Sequence, residues 1–276
     1  MQTFTFIVTR LFDVLVAPFG SHRTAGLIAL SLLAGAALTL LYRATSDARR
    51  IRRTREVFKA RVLEMRLYPD DVVLILRALA GAIASQGQYL RAAAKPILIV
   101  ALVAIPVFLQ IEARYAHAPL APGSHTVVTT RLKKGLDVLS VPTSLRSDGA
   151  GDGLGVDVRS VRAPASREVA WRVGVNTPGR HAVELQVYNQ SYRFNVSATH
   201  DGRALGAERR ARSLAGALAD IGLPRIESNS PIDAVTVAYP PAHYRIFGMQ
   251  WSWLAVFAAA SVLGASIPAF LLRVAL

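Results

Sequence analysis

The pattern of hydrophobic and polar positions along the chain contains three long apolar stretches without a charged residue. At about 1.5 Å of rise per helical residue, the stretch 24–42 is about 28 Å long, close to the thickness of the hydrocarbon core of a bilayer. The stretch 96–111 is shorter, about 24 Å by the same rise. The stretch 251–272 is the longest. We therefore predict three transmembrane helices, at 24–42, 96–111 and 249–273.

The first 23 residues have a different pattern, because Thr5, Thr9 and Asp13 recur at every fourth position among apolar residues. On a helix, this spacing places the three polar side chains on one narrow stripe. Such a helix lies in the plane of the membrane interface. We therefore interpret residues 1–23 as an interfacial amphipathic helix. A cleaved signal peptide would have its charge first and small residues before a cleavage site, which is not the pattern here.

Residues 43–95 have apolar positions at helical spacing on both sides of a Pro-Asp-Asp turn at 69–71. Proline ends a helix and aspartate caps the next one, so the segment is predicted to be a helical hairpin. We expect the second helix to break or kink around the glycines at 81–87, before Pro96 opens the second span. The apolar positions are Ile51, Phe58, Val62 and Met65 in the first helix and Val72, Ile75, Leu76, Leu79 and Ile83 in the second.

Between the second and third spans, the period of the pattern changes to two, which is typical of half-buried strands. The three clearest strands, at 169–175, 183–187 and 192–196, follow one another with short turns and predict an antiparallel meander. The predicted strands are 125–132, 136–141, 169–175, 183–187, 192–196 and 233–238, with a short helix near 206–220. Residues 112–248 are therefore predicted to form a small β-sandwich. Aromatic residues mark the return to the membrane interface, namely Tyr239, Tyr244, Trp251 and Trp253.

The formal net charge of +14 is concentrated in a way that indicates topology. The segment 43–95 holds 12 Lys and Arg against 5 Asp and Glu, and short loops rich in Lys and Arg stay in the cytosol. We therefore predict a protein of the cell (inner) membrane with its N-terminus outside, 43–95 in the cytosol and 112–248 outside. The predicted fold class is an α-helical membrane protein, with three transmembrane helices and a cytosolic helical hairpin, that carries an extracytoplasmic antiparallel β-sandwich domain.

A small, polar stripe follows one face of the first span, because Ser31, Gly35, Thr39 and Arg43 are spaced four residues apart. The third span has a comparable face that includes Ser261. One interpretation is close helix packing, because small residues let helix backbones approach each other. The other is a partly hydrated groove that opens to the cytosol. Such a groove would lower the cost, about 2.5–3.5 kcal/mol, of placing a charged client residue at the bilayer centre.

A run of arginines at the start of the hairpin is the second candidate site. It could contact a client protein, the ribosome surface or anionic lipid, or it could serve topology alone. No aromatic residues are interleaved with the charges, so specific nucleic-acid recognition is not expected. The candidate contact residues are Arg49, Arg50, Arg52, Arg53, Arg55 and Lys59.

Candidate catalytic chemistry is absent from the sequence. The chain has no cysteine, and its six histidines are scattered without the spacing of metal ligands. Serines, histidines and carboxylates of the predicted outer domain do not form a catalytic motif. We therefore predict a protein that is not an enzyme and that binds neither a metal nor another cofactor.

The order of these features resembles the YidC/Oxa membrane-insertase superfamily, especially its minimal three-span type, such as the third subunit of the ER membrane complex. The resemblance is carried by the interfacial helix, the hairpin RRIRRTREVFKARVLEMRLYPDD and the proline-led span KPILIVALVAIPVFLQ. It implies that the hairpin contacts clients or ribosomes and that a hydrophilic groove carries an arginine. Arg43 is the nearest equivalent, at the end of its span, and the β-domain is an addition to the family pattern.

The function predicted from the sequence is therefore a non-enzymatic membrane-protein insertase or chaperone that passes client segments along the polar face of the spans. Its partners would be membrane lipids and nascent membrane proteins or the ribosome. The alternative is a membrane-anchored scaffold or sensor whose β-domain binds a protein of the cell envelope. An ion pathway is disfavoured, because none of the predicted spans contains an acidic residue.

Overall fold

The computed structural model describes residues 2–20, 22–47, 53, 56–60, 62–63, 72–147, 153–157, 159–210, 226–227 and 229–271. The chain divides into two compact units. The first comprises Met1–Leu30 and Pro106–Ala259, and the second comprises Ser31–Ile105 and Ala260–Leu276.

Four helices are described from end to end. They are α1 (Gln2–Val16, followed by a 3-10 turn at Ala17–Phe19), α2 (Arg23–Thr45), α3 (Val72–Tyr115) and α4 (Trp253–Leu271). Helices α2 and α4, and the Leu79–Tyr115 part of α3, are long and apolar enough to cross a membrane. Membrane association and the presence of three span-length helices are thus supported, as the uncharged stretches predicted.

Helix α3 differs from the prediction, because it runs without a break from the hairpin through the second span. Its 44 residues correspond to about 66 Å, roughly twice the thickness of a hydrocarbon core. The expected interruption around 81–87 was wrong, and Pro96 lies inside the helix rather than at its start. Alanines flank Gly81 and glutamines flank Gly87, and both residue types favour helix, so the modest cost of each glycine does not end it.

The β-structure belongs to the first unit and is antiparallel throughout the described residues. One sheet has the order β3-β5-β1-β9-β8, with β4 also paired to β5, and a second has the order β2-β6-β7. A separate hairpin joins β10 to β11. The strands are β1 (His125–Leu132), β2 (Thr143–Ser147), β3 (Leu154–Val156), β4 (Val161–Ala163), β5 (Glu168–Val175), β6 (Arg180–Val187), β7 (Gln190–Ser197), β8 (Glu208–Arg210), β9 (Ile232–Val237), β10 (His243–Ile246) and β11 (Met249–Ser252).

The strands predicted most clearly from alternation exist, but their pairing is not a three-strand meander. Strand β6 pairs with β7, whereas β5 pairs with β1, β3 and β4 in the other sheet. Alternation fixes which face of a strand is buried and not which strand lies beside it. The turn after β5 is therefore a crossing from one sheet to the other.

The strand predicted at 136–141 was wrong, because Asp137 organises a turn there. Its side chain accepts a hydrogen bond from the backbone N–H of Leu139, and its carbonyl accepts one from Val141. Val138 and Val141 are buried in the core, so the segment has the apolar residues of a strand without forming one. The helix predicted near 206–220 lies mostly outside the described residues, and its described part includes strand β8.

One hydrophobic cluster lies between the strands and includes side chains from both larger sheets. Trp171 of β5 is its largest fully buried side chain, and Leu185 of β6 and Phe194 of β7 contribute from the other sheet. Tyr239 is also buried, and its hydroxyl accepts a hydrogen bond from the backbone N–H of Ser197 at 2.9 Å. Tyr239 is therefore a core residue of the β-domain, and its place in the membrane interface stays a prediction.

Candidate functional site

The predicted small stripe lies where α2 and α4 contact each other within the second unit. A Cβ atom on Gly35 would overlap the carbonyl group of Ser261 and would lie 3.0 Å from the backbone nitrogen of Ala265. A Cβ atom on Gly264 would lie 2.7 Å from the Cα atom of Leu32. Since real Cβ atoms do not approach backbone this closely, the two helices meet backbone to backbone at these glycines.

The polar members of the stripe in α2 are buried, with one exception. Ser31 and Thr39 are buried, and the Thr39 hydroxyl donates to the Gly35 carbonyl within its own helix at 2.9 Å. The Ser261 hydroxyl is buried without a hydrogen-bond partner in the part of the chain that is described. Arg43, in the last turn of α2, is exposed. This geometry favours close helix packing, and the hydrated groove stays a prediction.

The described part of the basic hairpin exposes apolar side chains beside its charges. Arg53 and Lys59 are exposed, whereas Arg49, Arg50, Arg52 and Arg55 lie outside the described residues. The large apolar side chains that are exposed here are Val57, Phe58, Val62 and Leu63 before the predicted turn and Val73, Leu76, Leu79 and Ile83 after it. The apolar positions predicted for the two hairpin helices are thus exposed wherever their side chains are described.

An arginine that the sequence analysis did not single out lies at the end of α3 in the first unit. The side chain of Arg114 is 0% exposed, and one of its terminal nitrogens lies 2.6 Å from a carboxylate oxygen of Asp13 in α1. The guanidinium also donates to the carbonyl and side-chain oxygens of Gln110, and it lies 5.7 Å from the ring centre of Phe12. Gln110 in turn donates to the Thr9 hydroxyl. A buried ion pair therefore joins α1 to the end of the second span.

This cluster places part of the polar stripe of α1 against another helix. Thr9 and Asp13 contact α3, and the placement of α1 in the membrane interface stays a prediction. The opposite face exposes Leu11, Val14 and Leu15. The every-fourth-residue spacing correctly indicated one face of a helix, but a buried arginine can satisfy such a face as well as water does.

A second polar cluster forms where the ends of α2 and α3 meet β10. The Arg23 guanidinium donates to the carbonyl of His117 at 2.6 Å and lies 5.9 Å from the ring centre of Tyr244. The Tyr244 hydroxyl donates to the carbonyl of Tyr115 at 2.8 Å. Burial raises the pKa of Tyr244 to about 12, so its phenol stays neutral. Tyr244 is thus a buried residue that holds β10 to the end of α3, and its place in the membrane interface stays a prediction.

His200 lies beside this cluster, with its ring centre 6.3 Å from that of Tyr115. Burial lowers the pKa of His200 to about 4, and the positive charges of Arg23 and Arg180 act in the same direction against the opposite effect of Asp201. The imidazole is therefore neutral at physiological pH, which favours a packing role over proton transfer.

We expect the free energy of unfolding to fall as the pH is lowered from about 6.5 towards about 4. In this window the unfolded chain protonates His200 more readily than the folded chain does, so acid favours unfolding. The substitution His200→Gln should reduce this dependence, and the same change at exposed His243 should not. Thermal unfolding of the detergent-solubilised protein across this pH range measures the effect. If the parent protein and the variants at His200 and His243 lose the same stability in acid, His200 is not the cause of the pH dependence.

An open cleft of about 530 Å³ lies in the β-domain between the turn after β1, the β6–β7 turn and the segment before β9. Lys133 and Lys134 line it together with the amides of Asn189, Gln190 and Asn229, and the described lining includes no carboxylate. A cleft of this size and charge can bind an anionic group. In the described ranges, no three His, Asp or Glu side chains come together as a metal site requires.

Comparisons with known proteins returned no match. No family model matches the chain, no curated protein matches it, and no solved structure matches it.

Proposed function

We propose that the protein is a non-enzymatic membrane-protein insertase or membrane chaperone of the YidC/Oxa type. In this proposal it lies in the inner membrane, with its N-terminus outside and the hairpin in the cytosol. The two larger sheets close as an extracytoplasmic β-sandwich. The observation that supports the proposal is the set of exposed apolar side chains on the described part of the basic segment, which continues directly into a helix long and apolar enough to cross a membrane.

An apolar side chain left in water costs roughly 25 cal/mol for each Å² of its exposed surface. A surface with several such side chains favours a partner that covers it, and a transmembrane segment awaiting insertion is such a partner. Helix α3 extends from this surface into the bilayer, so a segment held against Leu76 or Ile83 is already beside the membrane. The flanking positive charges attract anionic lipid headgroups or the ribosome surface.

The close contact between α2 and α4 limits the path that a client segment could take along the polar stripe. Ser31 and Thr39 are buried in that contact, whereas Arg43 is exposed at the end of the same helical face. In our proposal, a client polar residue meets Arg43 first and moves along the face only when the two helices separate. Without separation, the client enters lipid along their outer surfaces.

Site-specific photocrosslinking to ribosome-bound nascent chains tests this proposal. A crosslinker at Leu63 or Leu76, both exposed on the hairpin, is expected to capture a nascent chain that contains an apolar segment. Capture should be lost when the leucines of that segment are replaced by serine. Val161 of β4 is exposed to a similar degree and provides the matched control in the β-domain. Equal capture from Val161, or none from the hairpin, would contradict the proposal.

The cleft with Lys133 and Lys134 favours a second candidate function, a membrane-anchored scaffold or sensor whose β-domain binds an envelope protein. Acidic side chains of that protein would fit the ammonium group of Lys134 and the side-chain amides of the cleft. A crosslinker at Tyr188, which is exposed at the cleft, discriminates between the functions. If only this probe captures a protein in intact cells, the scaffold is the correct function.

A further inference from the structure

The β10–β11 hairpin ends in an apolar tip that the domain core does not cover. Phe247 is 96% exposed, and Met249 beside it is also exposed. Phe247 and Gly248 form the two-residue turn, and both have positive φ angles, 52° and 80°. Asn or Gly suits the first position of such a turn better than an aromatic residue does. An exposed phenylalanine in a strained position indicates that the side chain serves a purpose outside the core.

The other end of this hairpin is fixed at the membrane-facing side of the first unit. The Tyr244 hydroxyl is hydrogen-bonded to the Tyr115 carbonyl at the end of α3, and its ring lies beside Arg23 at the start of α2. Strand β11 continues without a linker into α4 at Trp253, whose ring centre lies 5.4 Å from that of Phe108 in α3. The base of the hairpin thus contacts the same-side ends of all three span-length helices.

This base restricts where the tip can be. Phe247 is six residues before Trp253, so it lies within about 20 Å of the start of α4 along an extended strand. The polar interface of a bilayer begins where the spans end. A tip within this distance of the helix ends can therefore reach the lipid headgroups.

We propose that the tip formed by Phe247, Gly248 and Met249 inserts into the headgroup region of the membrane that the spans cross. The occupant of this apolar surface is lipid, because the tip is continuous through β11 with a helix that enters the same bilayer. Aromatic side chains favour the membrane interface. Arg245 is exposed two residues before Phe247, and its guanidinium can donate hydrogen bonds to lipid phosphate groups. The hairpin then holds the β-domain against the membrane surface. This inference does not depend on the proposed insertase function.

The chain lacks cysteine, so a single introduced thiol reports on one position. Phe247→Cys, labelled with the environment-sensitive dye NBD, is reconstituted into vesicles of phosphatidylethanolamine and phosphatidylglycerol. We expect blue-shifted emission that is quenched by lipids spin-labelled near the headgroup and protected from aqueous iodide. Met249→Cys gives an independent second position should the first variant fold poorly.

Val161→Cys is the control, because Val161 is exposed in the same unit on strand β4. Its label should emit as in water, respond to iodide and ignore the spin-labelled lipids. The proposal is overturned if labels at 247 and 249 behave like the label at 161. It is also overturned if their emission is blue-shifted but insensitive to the spin-labelled lipids, because protein and not lipid would then cover the tip.

Discussion

The substitution Gly35→Ala is expected to destabilise the protein by about 1–3 kcal/mol, the usual cost of overpacking a tight interior. The added methyl group would overlap the Ser261 carbonyl, which is backbone and cannot rotate away. The α2–α4 contact must therefore widen. The gain in helix propensity on replacing glycine by alanine, about 1 kcal/mol, offsets only part of this loss.

Gly87→Ala is the matched control for this prediction. Gly87 also lies inside a helix of the second unit, but a Cβ atom there would meet nothing within 4 Å. This variant should therefore gain helix propensity and be as stable as the parent or more stable. Thermal unfolding in detergent and limited proteolysis compare the three proteins. A Gly35→Ala variant as stable as Gly87→Ala would show that α2 and α4 do not pack at this point.

The same contact affects how the polar stripe can be tested. Leucines at Ser31 and Thr39 would enlarge side chains that are already buried, and the helices would have to separate. Loss of client insertion in such a variant would therefore report damage to packing as well as loss of polarity. Arg43→Gln is a better probe, because Arg43 is exposed and its charge can be removed without repacking.

Several features of the fold were predictable because they depend on local composition. An uncharged stretch of about 20 residues predicts a span wherever it occurs, and alternation predicted β1, β5, β6, β7 and β9 close to their observed bounds. Partner choice was not predictable in this way. The pairing of β5 with β1 depends on contacts between residues that are far apart in sequence, and the residues of β5 do not encode it.

The candidate site shows the same division between local and non-local information. Small residues at a spacing of four predicted one helix face at Gly35, but only the approach of Ser261 shows what that face contacts. Thr9 and Asp13 likewise predicted a polar face, and their partner Arg114 lies about a hundred residues away, just beyond a predicted span. The exposed tip at Phe247 was missed because a lone aromatic residue before a glycine carries no periodic signal.

The ion pair between Asp13 and Arg114 leads to the second large prediction, which depends on how differently its partners are exposed. The Asp13 side chain is 34% exposed and the Arg114 side chain 0%. The substitution Asp13→Ala leaves a buried guanidinium without its counter-charge, a change that costs about 3–5 kcal/mol. Arg114→Met leaves a carboxylate that water can reach, so the loss should be smaller, about 1–3 kcal/mol. Removal of the more exposed partner is therefore expected to do more damage.

A double variant and a surface control complete this test. Asp13→Leu combined with Arg114→Met removes both charges and should be more stable than Asp13→Ala alone, because no unpaired charge stays buried. Arg193→Ala removes a surface charge 3.7 Å from Glu184 and should cost at most about 1 kcal/mol. Chemical denaturation in detergent gives these values, and protease cleavage within α1 shows whether that helix has detached. If Arg114→Met destabilises the protein more than Asp13→Ala does, the burial of an uncompensated guanidinium is not what holds α1 to α3. The hydrogen bonds from Arg114 to Gln110 would then be the main stabilising contact.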